Sequence, residues 1–218
     1  MKRLQFATDS TAGRWLEESL QDWGGKEQVR LGVGSLVPNG FEAYARIFHA
    51  IHKKSGENLE RIRWSSLIPP RGTLDDVIRR FDYHHNNKEW DPNIYGPAES
   101  LSLEECDTLV PLLEEATNSA GNCWFAVWYG FGNRDRYSFP DPSNEPNPPL
   151  KLPHREYFLY SGPVDSVREF ATGPQIWWPE DHSWVIHSEI DLPYTYLAGS
   201  HALVDRLLRS PDIEAQRM

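Results

Sequence analysis

The stretch Cys123-Trp-Phe-Ala-Val-Trp-Tyr129 most constrains what this chain can fold into. Seven apolar or aromatic residues in a row cannot alternate between a core and water. The run is too short for a membrane span of about 20 residues. It reads as a strand covered on both faces, with Trp124 to Tyr129 buried. The expectation that follows is a large stability loss in Trp128→Ala if that ring is enclosed.

Other elements follow from local signals. A helix is expected over Ala7–Gly25, capped by Ser10 or Thr11, with Trp15, Leu16, Leu20 and Trp23 on one face. Gln28–Pro38 reads as a strand, closed by the turn Pro38-Asn39-Gly40. Phe41–Lys54 fits two patterns. Phe41, Tyr44, Ile47, Phe48 and Ile51 have helical spacing, while the short turn favours a hairpin with the preceding strand. Ile62–Pro70 is a short apolar element. Thr73 with Asp76, and Ser102 with Glu105, form capping boxes at two helix starts. Pro111 falls inside the second helix and is expected to kink or split it, because proline lacks the amide donor.

After the aromatic run, six prolines between Pro140 and Pro153 exclude helix. Residues 139–153 therefore form a loop between two paired strands. His154–Gly162 is the next strand, and Pro163 opens a short helix. Ser183–Ile190 alternates, with Trp184, Ile186 and Ser188 on one side and Val185, His187 and Glu189 on the other. Tyr194–Gly199 is a strand, and Ser200 caps a last helix that ends before Pro211. Mixed helices and short strands with tight turns point to a single α+β domain over 1–218, built on a largely antiparallel twisted sheet flanked by a few helices.

Charge narrows the partners. The net charge is −10. Residues 1–90 carry 14 Lys+Arg and 12 Asp+Glu, a net of +2, and the remaining 8 and 20 give 91–218 a net of −12. A duplex-binding protein draws affinity from cations on phosphates, so no nucleic-acid partner is expected. A basic protein partner suits the acidic half, although a solvated acidic surface explains the same numbers. Two cysteines, Cys106 and Cys123, make no disulfide framework, and both read as buried, inert thiols. No apolar segment follows Lys2-Arg3, so a cytoplasmic location is expected, with no membrane association.

Motifs of the large enzyme classes are absent: no GxGxxG after a strand, no GxxxxGK[ST], no GxSxG, no HExxH and no CxxC pair. No cofactor is therefore expected, and nothing fixes an oligomeric state. The densest set of chemistry-bearing residues is Trp177, Trp178, Glu180, Asp181, His182, His187 and Glu189. His187 and Glu189 share a strand face about 7 Å apart, a spacing that admits one metal but more simply makes a half-exposed polar face. Glu180 or Asp181 beside Trp177-Trp178 allows carboxylate chemistry on a stacked sugar. The same residues also make a core corner.

Four segments, Cys123–Gly132, Arg155–Pro163, Trp177–Ser200 and Leu203–Ala215, resemble a family of uncharacterised soluble bacterial proteins, mostly from actinomycetes. The resemblance spans about residues 28–50 and 122–215 and implies no activity. The segment Val127-Trp-Tyr-Gly-Phe-Gly132 is similar to strands of the SUKH-type immunity proteins, compact α+β domains that bind and neutralise toxins. That similarity implies a binding role, immunity-like or regulatory, and transfers no functional residue. The alternative is a hydrolase with a His/carboxylate site at 177–191.

Overall fold

The structure is a computed structural model. It describes residues 4–21, 33–81, 91–98, 100–130, 149–153, 155–170 and 173–218. The fold is α+β and antiparallel. Among the described residues, its main sheet has nine strands. Eight run in the order β1 (Gln5–Phe6), β8 (Glu156–Gly162), β6 (Cys123–Trp128), β9 (Ile176–Pro179), β10 (Val185–Ser188), β11 (Tyr194–Gly199), β2 (Ala43–Phe48) and β12 (Ala215–Arg217). The ninth, β7 (Leu150–Lys151), pairs with β8. A smaller sheet has the order β4 (Asn58–Ile62), β3 (Ile51–Ser55) and β5 (Ile94–Tyr95).

Helices cover both faces of the main sheet. On one face, α4 (Leu103–Glu115) and α5 (His201–Leu208) bury Leu109, Leu113, Leu203 and Leu207 against Phe125, Trp177, Trp184 and Ile186. The opposite face receives Leu16 of α1 (Arg14–Ser19), Leu36 of α2 (Val33–Leu36), Trp64 and Val77 of α3 (Leu74–Arg80). These pack on Ala126, Trp178 and Val185. Two covered faces explain why the central strands carry continuous apolar runs. Both capping boxes form, at Thr73/Asp76 and Ser102/Glu105, and Ser200 caps α5. Each side-chain oxygen takes an amide that the helix leaves unpaired.

Several expectations need correction. Val33–Leu36 is helical, closed by Val37 N–H donating to the Val33 carbonyl at 2.9 Å, and Leu36 and Val37 are buried. Packing overrides strand propensity there. Residues 28–32, Trp23, His84, His85 and most of the loop 139–153 lie outside the described residues. Ala43–Phe48 is a strand, but its neighbours are β11 and β12, not the preceding segment. The first helix is short, a 3-10 turn at Thr11–Gly13 leading into α1, with no side-chain cap from Ser10. Within Ile62–Pro70, Trp64–Leu67 is a 3-10 turn.

Helix α4 is not split at Pro111. One proline removes one backbone bond, while the capping box and the buried Leu109, Val110 and Leu113 hold the turns on either side. In β6, Phe125, Ala126 and Val127 are buried, but Trp124 and Trp128 are half-buried and Tyr129 is exposed. The Trp128 ring packs against the core at its edge and is covered on one face by the Arg155 guanidinium, 4.3 Å from its centre, so it is not fully enclosed. The large loss expected of Trp128→Ala therefore moves to a ring that is enclosed.

Candidate functional site

The seven candidate residues lie on β9, β10 and the turns that follow each. Trp177 and Trp178 are adjacent on a strand, so their side chains leave opposite faces. Trp177 stacks beside Phe125 at 6.3 Å and meets Trp184 edge-on at 5.6 Å. Trp178 packs edge-on to Trp15 at 6.2 Å on the other face. Both rings are buried. Of the two readings, the core corner is the one built; neither ring has a free face for a sugar.

The turn after β9 is a polar clamp. Asp181 accepts from Thr117 Oγ1 at 2.7 Å, the Asn118 amide at 2.9 Å and the Ser183 amide at 3.1 Å. Partial burial works against the charge, but the bonds from Ser183, Thr117 and Asn118 outweigh it and hold the carboxyl at about 2. Asp181 stays ionised and locked, a poor proton donor near neutrality. Glu180 is exposed and accepts from the Trp124 indole. His182 adopts the left-handed region at φ 54 and stacks on Trp15 at 4.3 Å. Burial lowers its pKa against the pull of Glu180 and Asp181.

His187 and Glu189 are both buried, not half-exposed. The strand alternates as expected, but its second face is also covered. His187 Nδ1 donates to the Leu36 carbonyl of α2. Glu189 takes two bonds from Arg155, Nη2 at 2.5 Å and Nε at 3.2 Å. Burial raises the Glu189 pKa, and Arg155 opposes the rise. Among the described residues, no three His, Cys, Asp or Glu side chains gather as a metal site would require. Burial also pushes the Cys106 and Cys123 thiols up to about 12, so neither is a ready nucleophile.

A buried polar chain escapes the sequence reading. His49 Nδ1 donates to the Ala98 carbonyl at 2.7 Å, which leaves Nε2 to accept from Thr195 Oγ1 at 2.8 Å. Ser188 Oγ lies 2.6 Å from Thr195 Oγ1. Ser188 and Thr195 are directly opposed in the β10–β11 hairpin, the one signal that could have paired them. All three are enclosed, so the chain ties strands together and offers no open nucleophile. Burial pulls the His49 pKa down to about 4, with the Ala98 bond opposing. An imidazole depressed from an ordinary 6.5 contributes stability in full above that value. About 3 kcal/mol is lost as pH falls from there toward the folded-state value. The His49 imidazole resonances are expected to titrate near pH 4 by NMR; a midpoint at 6 or above contradicts the enclosure.

A cleft of about 440 Å³ lies where the two sheets meet, lined by Phe48, Trp64, Arg61, Arg63, Glu104 and Glu214 among others. Arg61, Arg63 and Glu214 are engaged. Arg61 pairs with Glu105 at 2.9 Å, Arg63 donates to the Pro211 carbonyl at 2.6 Å, and Glu214 takes the Trp64 and Ser65 amides. Among the described residues, no helix is long and apolar enough to cross a membrane. The chain matches no protein-family model, no curated protein and no solved structure.

Proposed function

We propose that the protein is a non-enzymatic binding protein, immunity-like or regulatory, whose acidic C-terminal half docks a basic partner protein. One observation carries this reading. The residues that resemble a catalytic set are distributed over both sheet faces, and the buried ones are bonded into the scaffold. Catalysis needs an acid, a base or a nucleophile converging on one open point. The exposed carboxylates suit a different task. Glu114 and Glu115 end α4, and Asp181 is bonded to Thr117 and Asn118 just beyond them, with Glu180 next in the chain. Opposite charge across such an edge speeds association and selects the partner.

The test is affinity capture of the tagged protein from its native host, followed by charge reversal. A small basic protein in near-stoichiometric yield is expected. Glu114→Lys with Glu180→Lys should weaken its binding about tenfold at low ionic strength, with the difference shrinking as salt screens the charges. Capture indifferent to both charge reversal and salt overturns the docking reading. Stoichiometric zinc or manganese that disappears in His187→Ala overturns the non-enzymatic one.

A further inference from the structure

We infer that the groove beside Pro69-Pro70, framed by Arg71, Arg79 and Arg80, binds a phosphorylated small molecule. The groove is open, about 590 Å³ in volume, and among the described residues Gly72 and Asp76 complete its lining. That volume admits a metabolite-sized ligand. The inference does not depend on the acidic docking surface, and it concerns charge of the opposite sign.

The first support is an imbalance. This chain has 32 Asp+Glu and 22 Lys+Arg, so an arginine has no shortage of carboxylates. Arg46, Arg61, Arg155, Arg168, Arg206 and Arg217 all take one. Among the described residues, Arg14, Arg63 and Arg209 make no ion pair and stand apart, whereas Arg71 and Arg80, also without one, line the same groove as Arg79, which reaches Asp76 at 3.6 Å. Three arginines therefore line one concavity, and among the described residues the ion pair they make is Arg79–Asp76.

A second observation is that the groove is pre-shaped. Gly72 N–H donates to the Pro69 carbonyl at 2.9 Å, and a Cβ at residue 72 would lie 2.5 Å from the Pro69 ring. The turn thus requires glycine there and holds Arg71 opposite α3. Asp76, the one carboxylate in the lining among the described residues, accepts from the Thr73 amide at 2.7 Å and the Thr73 hydroxyl at 2.8 Å. Asp75 is paired with Arg46. Among the described residues, three cations against one bonded carboxylate make the lining positive.

The donor set selects the ligand class. A guanidinium is a planar fork matched to oxyanions. A carboxylate has two oxygens and one charge, enough for one such fork. A phosphoryl group offers three oxygens and up to two charges, which three forks can share.

Calorimetric titration with inorganic pyrophosphate at low ionic strength tests the site, with citrate as the carboxylate comparator. Saturable one-site binding of pyrophosphate is expected, tighter than citrate. Arg71→Ala with Arg80→Ala should weaken it at least about tenfold, the loss of one or two charge-assisted bonds. Both side chains are exposed, so circular dichroism and the unliganded Tm should be unchanged. Arg209→Ala removes another exposed arginine that lies outside the groove and should bind as the parent does. Absence of saturable binding, equal weakening in Arg209→Ala, or citrate binding as tightly as pyrophosphate each overturns the assignment.

Discussion

Trp184→Ala is expected to lower the unfolding free energy by about 3–5 kcal/mol, the range for truncating an enclosed large aromatic. Trp184 has no exposed surface, and it stands immediately before β10. Its ring meets Trp177 edge-on at 5.6 Å, and its indole N–H donates to the Leu113 carbonyl at 3.1 Å. Leu113 lies in the last turn of α4, and its carbonyl also accepts from the Ala116 amide at 3.2 Å, so the indole supplies its second bond. The substitution therefore opens a cavity under the sheet and also removes a tie between α4 and β10. Its neighbours are strand residues held by cross-strand bonds and leucines of α4 and α5, so the space closes only in part. Trp184→Phe separates the two effects, keeping most of the ring volume while losing the hydrogen bond. Its cost should be nearer 1–2 kcal/mol. Urea unfolding measures both, and each kcal/mol should lower Tm by roughly 2–4 °C in a chain of this size. A loss under 1 kcal/mol in the alanine variant contradicts the packing described for this face.

What the sequence discloses follows the range of each signal. Thr73 with Asp76, Ser102 with Glu105 and Ser200 are legible because a cap is settled within three residues. Cys123–Trp128 and Tyr194–Gly199 are legible because a continuous apolar run has few places to go. Val33–Leu36 is misread because its four residues carry no period, and contacts with distant segments make it helical. The pairing of β2 with β11 joins residues about 150 apart, and local pattern carries no trace of it. At the candidate site the same division holds. Adjacent Trp177 and Trp178 must part to opposite faces of any strand, so a two-ring platform is excluded by alternation alone. The burial of His187 and Glu189 is not legible. It depends on α2 and the Arg155 segment covering a face that alternation alone leaves half-exposed. His49 likewise gives no sign of its partners, which come from Ala98 and Thr195.

Arg155→Ala should cost about 3–5 kcal/mol at neutral pH, the penalty for stranding a buried charge. Glu189 is 2% exposed, and Arg155 holds both of its oxygens. Without Arg155, the burial that raises the Glu189 pKa goes largely unopposed, and Asp191 adds a like charge while its backbone N–H bond lowers the pKa. The variant also loses the guanidinium over the Trp128 ring. The pH dependence identifies the cause. The Glu189 pKa is raised in the folded state above its ordinary 4.5. The folded protein therefore binds this proton more readily than the unfolded chain does. The resulting stability is fully present below the unfolded value and is lost as pH rises through the folded one. Removing Arg155 widens that window, so the penalty should be largest near pH 7.5 and shrink as Glu189 is neutralised in acid. Arg155→Met with Glu189→Gln provides the comparison: with both charges gone, the pair should cost less than Arg155→Ala alone. Urea midpoints at pH 7.5 and 5 decide the matter. A penalty that is the same at both values means Arg155 acts by packing on Trp128 rather than by neutralising Glu189.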